Sequence, residues 1–213
     1  YVLAQRSVGA WRQLDARNRF DYVLVSRFHT GRGRLLDFID ADSTWSLVFA
    51  DDAAALHLRR GGTLDSVATR YAFRVIPGGT ERLGPLGQAA RSDTALRAAL
   101  EAELLRQPRE SPYNSQAFSL LARAAFVERR LADARRYTEA ALRAEPLTPG
   151  EHERLGKIAL AERRPREALA EFRRERRLVT SDAGLDLRFG QAYAALGAPR
   201  GARPPPLRAR ARA

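Results

Sequence analysis

The stretch "LARAAFVERRLADARRYTEAALRAEP", Leu121 to Pro146, is echoed thirty-four residues later by "LGKIALAERRPREALAEFRRERRLVT", Leu155 to Thr180. Both copies carry two Arg after a Glu, an Ala at the equivalent of Ala134, and the same spacing of apolar positions. With Pro146 at place 32 of a 34-residue unit, one unit starts at Ser115, the next at Pro149 and a third at Ala183. Leu121, Leu155 and Phe189 then share place 7, and Ala122, Gly156 and Gly190 share place 8. Ala134 and Ala168 share place 20. Repetition at this period is the mark of a stacked array, in which each copy presents the same surface to the next.

This pattern of small and large residues resembles the tetratricopeptide repeat. The resemblance implies two helices per unit. Small residues at places 8 and 20 let helix A approach its own helix B, and large ones at 4, 7, 11 and 24 fill the gaps between units. Stacked units make a right-handed superhelix with a concave side. Two departures follow from the residues. Glu175 and Arg176 stand where the first unit has Ala141 and Leu142, so the second helix B is expected to be less apolar toward its neighbour. Pro204, Pro205 and Pro206 forbid a helix B in the third unit. A capping helix, Gly184–Leu196, is expected to close the stack, with a disordered basic tail over 199–213. Five helices are expected over 115–196, broken near residues 130, 147, 164 and 181.

Upstream, the pattern is mixed. Val8, Trp11 and Leu14 recur at helical spacing. "DYVLVS" (Asp21–Ser26) predicts a buried strand and "LLDFIDA" a short helix. "TWSLVFA" alternates, with Trp45, Leu47 and Phe49 on one face. Asp51-Asp52 turn it into an antiparallel partner, "AAALHLRR", which Gly61-Gly62 stop. The order α-β-α-β-β, with one right-handed crossover, is packed around Trp11, Val23, Val25, Trp45, Leu47 and Phe49. In the connector, "TLDSVATRYA" predicts a helix capped by Thr63 or Asp65. "FRVIPGG" predicts an extended segment, and "GPLG" an interruption. "DTALRAALEAELLRQ", Asp93 to Gln107, predicts a long helix with Leu96, Leu100 and Leu104 in a stripe. The fold class is therefore α+β: a small α/β domain (1–62), a connector (63–112) with a helix at 93–107, and a helical-hairpin solenoid at 113–198. The solenoid divides into units 115–148 and 149–182 and a cap at 183–197.

The segment from "WRQLDARNRFDYVLVSR" to "TWSLVFADDAAALHLRRGG", roughly residues 5–62, has a second likeness. It resembles the soluble tail that follows the last membrane helix in bacterial multi-pass glycosyltransferase-like proteins of the GT-C type. Tetratricopeptide repeats sometimes follow such tails. The resemblance implies an extramembranous appendage on the periplasmic face of a bacterial inner membrane, the cytoplasm being the alternative. It implies no transferase activity here, because that family's catalytic acids lie between membrane helices. A chain that begins at Tyr1 rather than Met fits the expectation of a fragment.

The bulk properties narrow the chemistry. The 213 residues suffice for one large domain or two small ones. No apolar run is long enough to span a membrane, and "YVLAQRSVGAW" lacks the basic start and apolar core of a signal peptide. Without cysteine there is no disulfide, thiolate zinc site or cysteine nucleophile. The formal charge is +12, and Lys157 is the only lysine among 37 basic residues. Five Arg with no acid fall in Pro199–Ala213. Elsewhere most Arg alternate with acids at helical spacing, the habit of a solvated, ion-paired face, which disfavours nucleic acid as a partner.

"HTGRGR" (His29–Arg34) lacks the spacing of a phosphate-binding loop and reads as a strand-to-helix turn. Asp37, Asp40 and Asp42 read as a solvated helix end rather than a cation site. His29, His57 and His152 are scattered, with no local metal or nucleophile motif. No catalytic residue, metal or cofactor is expected. What remains is the concave groove that the repeat resemblance implies, where place 9 carries Arg123, Lys157 and Gln191 and place 12 carries Phe126 and Leu160. These five are the candidate binding residues, and a protein or peptide with an acidic group and an apolar side chain is the expected partner. Glu153, at place 5, is the residue expected to compete for Lys157 or Arg123. The Asn residues of the family's carboxylate clamp are missing, so no specific C-terminal clamp is expected. The alternative function is an Arg-driven nucleic-acid or phosphate binder.

Overall fold

The computed structural model describes residues 3–27, 34–179 and 182–197. The chain is α+β, a three-stranded antiparallel sheet accompanied by helices. It divides into two compact units, residues 1–117 and 118–213.

In the first unit, α1 (Val8–Asn18) starts at Ser7, whose hydroxyl accepts from the Ala10 amide, and ends at Arg19 in the left-handed region. Of the expected Val8, Trp11 and Leu14 stripe, only Trp11 is buried. It stacks on Phe20 and leans on Trp45, both with ring centroids 6.1 Å away. Strands β1 (Tyr22–Ser26), β2 (Trp45–Ala50) and β3 (Ala54–Arg59) form a sheet in the order β1-β3-β2. The hairpin β2–β3 pairs antiparallel as expected, and β3 takes the centre. The turn is held by the Asp51 carboxylate, which accepts from the Ala53 and Ala54 amides, both at 2.8 Å.

Two expectations for the sheet fail. β1 is an edge strand rather than a buried one: Tyr22 and Leu24 are exposed and Val23 is half-buried, leaving Val25 in the core. The helix α3 (Asp65–Tyr71) covers β2 and β3 on that face, through the cluster of Val48, Leu58 and Ala68. Nor do Trp45, Leu47 and Phe49 share a face. A register shift between Leu47 and Phe49 pairs Leu47 with His57 but Phe49 with Leu56, whose side chains alternate across β3. β2 is buried on both faces, Ser46 and Val48 included, because α2 (Leu35–Asp40) contacts it as well as α3.

The connector differs in three ways. Leu64 is the N-cap of α3 with no side-chain hydrogen bond, and Asp65 instead accepts from the Gly61 amide at 2.7 Å. "FRVIPGG" forms no strand, although the Phe73 amide donates to the Leu47 carbonyl at 2.7 Å. "GPLG" does not interrupt: it lies inside α4 (Leu83–Ala89), with Pro85 in the first turn, where a helix needs no amide donor. The next helix, α5 (Thr94–Glu110), is capped by Asp93, which accepts from the Leu96 amide at 2.9 Å. It continues through Pro108, three residues beyond the expected end at Gln107. Proline forfeits one hydrogen bond, and the helix ends two residues later at Glu110, with Ser111 as its C-cap.

The five helices expected after residue 114 are present: α6 (Ser115–Val127), α7 (Leu131–Ala144), α8 (Glu151–Ala161), α9 (Pro165–Leu178) and α10 (Ala183–Ala195). The first two amides of α6 are capped within the first unit by Asp52, at 2.6 and 3.1 Å. The second unit contains the echo in backbone form. Arg129, Arg163 and Gly197 are left-handed, with φ of 62, 59 and 74°, and lie thirty-four residues apart. The same hydrogen bonds close the first two of these turns. The amides of Arg129 and Arg163 reach Phe126 and Leu160, and those of Arg130 and Arg164 reach Ala125 and Ala159. A left-handed residue followed by such a bond is a helix C-cap.

Side chains repeat as well. Ala134 and Ala168 are fully buried, and Gly156 lies against Phe172, whose ring meets Phe189 edge-on at 5.8 Å. Glu175 and Arg176 make α9 more polar than α7, as expected, and both side chains are engaged. Glu175 is buried and accepts from the amides of Gly150 (2.8 Å) and Glu153 (3.1 Å), so it caps α8 of its own unit. Arg176 lies 5.3 Å over the Phe189 ring and pairs with Asp186. Both polar groups serve as fasteners. The expected disordered tail, 199–213, lies outside the described residues.

Candidate functional site

The groove candidates sit on the first helix of each repeat. Arg123, on α6, is exposed and has no side-chain partner among the described residues. Lys157, on α8, is engaged: its Nζ lies 2.6 Å from Glu153 Oε1. Glu153 also takes Arg188 of α10 at 3.4 Å, and Arg188 donates to the Gln191 side chain at 3.1 Å. Glu153 therefore competes for Lys157, so the place-9 row offers one uncommitted cation rather than two. Phe126 and Leu160 are half-buried, and Leu160 packs against the cluster around Phe172.

Polar links join successive units. Ser119 of α6 donates to Glu151 of α8 at 2.7 Å. Arg135 of α7 bridges Glu162 (2.6 Å) and Glu167 (2.7 Å) of the following unit. Burial opposes the charges at this node, but the hydrogen bonds outweigh it, raising the Arg135 pKa and lowering that of Glu162. His152 pairs across its own unit with Glu171, Nδ1 to Oε2 2.8 Å.

The first unit holds a constellation that sequence spacing conceals. Of Asp37, Asp40 and Asp42, Asp40 departs from the expected solvated helix end. The Asp40 carboxylate is buried and accepts from His57 Nε2, the Gly78 amide and the Gly79 amide, each at 2.9 Å. Burial pushes its pKa up, but the bonds from His57, Gly79 and Gly78 outweigh this and hold it below the ordinary value. Gly78 is required here, because a Cβ would stand 2.7 Å from His57 Cε1. Seventeen residues separate Asp40 from His57, and thirty-eight separate it from Gly78, so no local motif could have revealed them.

A second carboxylate acts on the same loop. Glu103 of α5 accepts from the amides of Arg74 (2.6 Å), Val75 (3.0 Å) and Ile76 (2.8 Å). Every amide from Arg74 to Gly79 thus donates to a carboxylate oxygen, apart from Pro77, which has none to give. The loop is fixed by two helices and walls a cleft of about 950 Å³.

No family model matches this chain. No curated protein matches it either. Among the described residues no group of three His, Asp or Glu side chains is placed to hold a metal ion. No helix among them is long and apolar enough to cross a membrane. The hydrogen bonds of His57 and His152 run to carboxylates, and no hydroxyl among the described residues bonds to either ring. The "HTGRGR" turn lies outside the described residues up to Gly33, and with it His29.

Proposed function

We propose that α6–α10 are tetratricopeptide-like repeats that hold an extended acidic peptide, which makes the chain a non-catalytic protein–protein interaction module. The reading is carried by the thirty-four-residue recurrence of the left-handed turn at Arg129, Arg163 and Gly197. Supporting it, the small residues of places 8 and 20 in the first two repeats, Ala122, Gly156, Ala134 and Ala168, lie at tight or fully buried positions. In this reading Arg123 supplies the charge-assisted contact, while Phe126 and Leu160 offer apolar surface to an alternate side chain. Lys157 joins only when the peptide carboxylate displaces Glu153. The resemblance of residues 5–62 supports an appendage of a bacterial membrane or envelope protein.

Titration with a fluorescein-labelled peptide alternating Glu with Leu tests the proposal. Replacing Arg123→Glu and Lys157→Glu together should cost on the order of 2–4 kcal/mol of binding, with the Arg123 change the larger share. Unchanged affinity in the double variant removes the groove. Binding that falls steeply with salt for single-stranded DNA, with none for the peptide, would favour the nucleic-acid alternative.

A further inference from the structure

The cleft of the first unit is a separate feature from the helical groove. Its lining brings Ile39, Trp45 and Leu47 together with Phe73, Ile76 and Leu86. This is an apolar interior of the kind that receives a ligand body. Its shape is set in advance, since the Arg74–Gly79 loop is bound to Glu103 and Asp40 and cannot collapse without breaking five hydrogen bonds.

Polar capacity in the lining is unspent. Trp45 and His57 are 4% and 1% exposed, and among the described residues the Nε1 of one and the Nδ1 of the other have no hydrogen-bond partner. Buried polar atoms are ordinarily hydrogen-bonded, so these two nitrogens and Asp37 Oδ1, unpaired in the lining of one cleft, mark a place where a polar group is wanted. Trp45 Nε1–H can only donate. At the rim stand Arg60, Arg74 and Arg82, all exposed and without side-chain partners among the described residues. Of the acids in the same lining, Asp37 pairs with Arg34 at 3.7 Å, Asp40 with His57 and Asp42 with Thr44, which leaves Glu81 against the three cations. Donor and cations alike call for acceptor oxygens bearing negative charge.

We propose that this cleft binds a small organic anion, an apolar or aromatic body carrying a phosphate monoester. The body lies among Ile39, Leu47, Phe73 and Leu86, and the phosphate meets the Arg60, Arg74 and Arg82 guanidinium groups. The site is independent of the helical groove and needs no covalent step.

Phenyl phosphate serves as the probe, titrated into the full chain by calorimetry with inorganic phosphate and phenol in parallel. Saturable binding in the millimolar range or tighter is expected for phenyl phosphate, about tenfold or more stronger than for either half alone. The triple variant Arg60→Ser, Arg74→Ser, Arg82→Ser should weaken it about tenfold or more. A control triple, Arg166→Ser, Arg173→Ser, Arg177→Ser, removes the same charge from exposed positions of α9 and should leave affinity unchanged. Absence of saturation, equal loss in both triples, or inorganic phosphate binding as well as phenyl phosphate would each overturn the proposal. Loss of the peptide site leaves these outcomes untouched, so the two readings fail separately.

Discussion

Gly156 receives the ring of Phe172 so closely that a Cβ there would lie less than 3.0 Å from three of its carbons. The equivalent pair one repeat earlier is Ala122 with Thr138, both fully buried. A larger residue at place 24 goes with a smaller one at place 8, as close packing at one helix crossing demands. Gly190, the third of the series, has open space where its Cβ would be.

The pair predicts a coupled mutational effect. Gly156→Ala alone should destabilise the protein by about 1–3 kcal/mol through overpacking. In a Phe172→Leu background the same change should cost clearly less, giving a favourable coupling energy in a double-mutant cycle. Urea unfolding midpoints measure it, and additive effects would mean that the two residues are not in contact.

Arginine at a left-handed position is unfavourable, and Arg129 and Arg163 occupy such positions in both complete repeats. Glycine, which the third turn already has, should stabilise. Arg129→Gly and Arg163→Gly are each expected to add about 0.5–1 kcal/mol, despite glycine's greater freedom in the unfolded chain. A lowered melting temperature for both variants would show that the guanidinium groups matter more than the backbone.

Glu175 is buried on two amides at the start of α8. Glu175→Ala restores the residue of the first repeat but leaves Gly150 and Glu153 amides without their acceptor. A loss of about 1–3 kcal/mol is expected. If the variant is as stable as the parent, water replaces the cap at no cost.

Acid should weaken both units. Asp40 and Glu162 have pKa values below their ordinary 3.8 and 4.5, so their contribution is full above those values. It is lost as pH falls through the lower, folded values, where the native contacts must take up protons. Asp40→Asn should therefore be less stable than the parent at neutral pH, with the gap narrowing below about pH 4. Denaturant midpoints at the two pH values test this, and a constant gap would contradict it.

The helix pairs after residue 114 were legible because each of their determinants is local and recurs. Leu121 and Leu155, Ala134 and Ala168, and the Glu-Arg-Arg turns repeat at one offset, and a helix pair is built from near neighbours in sequence. The sheet was less legible. Nothing in "TWSLVFA" announces the register shift before Phe49, and "YVLV" reads alike at an edge and at a centre, since neighbours on other strands decide burial. The cleft was not legible, because Asp40, His57, Gly78 and Glu103 meet only after α2, β3 and α5 are assembled. The capping role of Glu175 was hidden for a related reason: a helical pattern tells which face a residue occupies, but not that an amide waits opposite it.

The claim that the repeats are a peptide-binding module is tested most directly by an amide-detected NMR titration of the full chain with the alternating Glu-Leu peptide. The account predicts saturable shifts concentrated at Arg123, Phe126, Lys157, Leu160 and Gln191, lost in the Arg123→Glu, Lys157→Glu variant. Shifts absent from those five positions at saturating peptide, or unchanged in the variant, would contradict it.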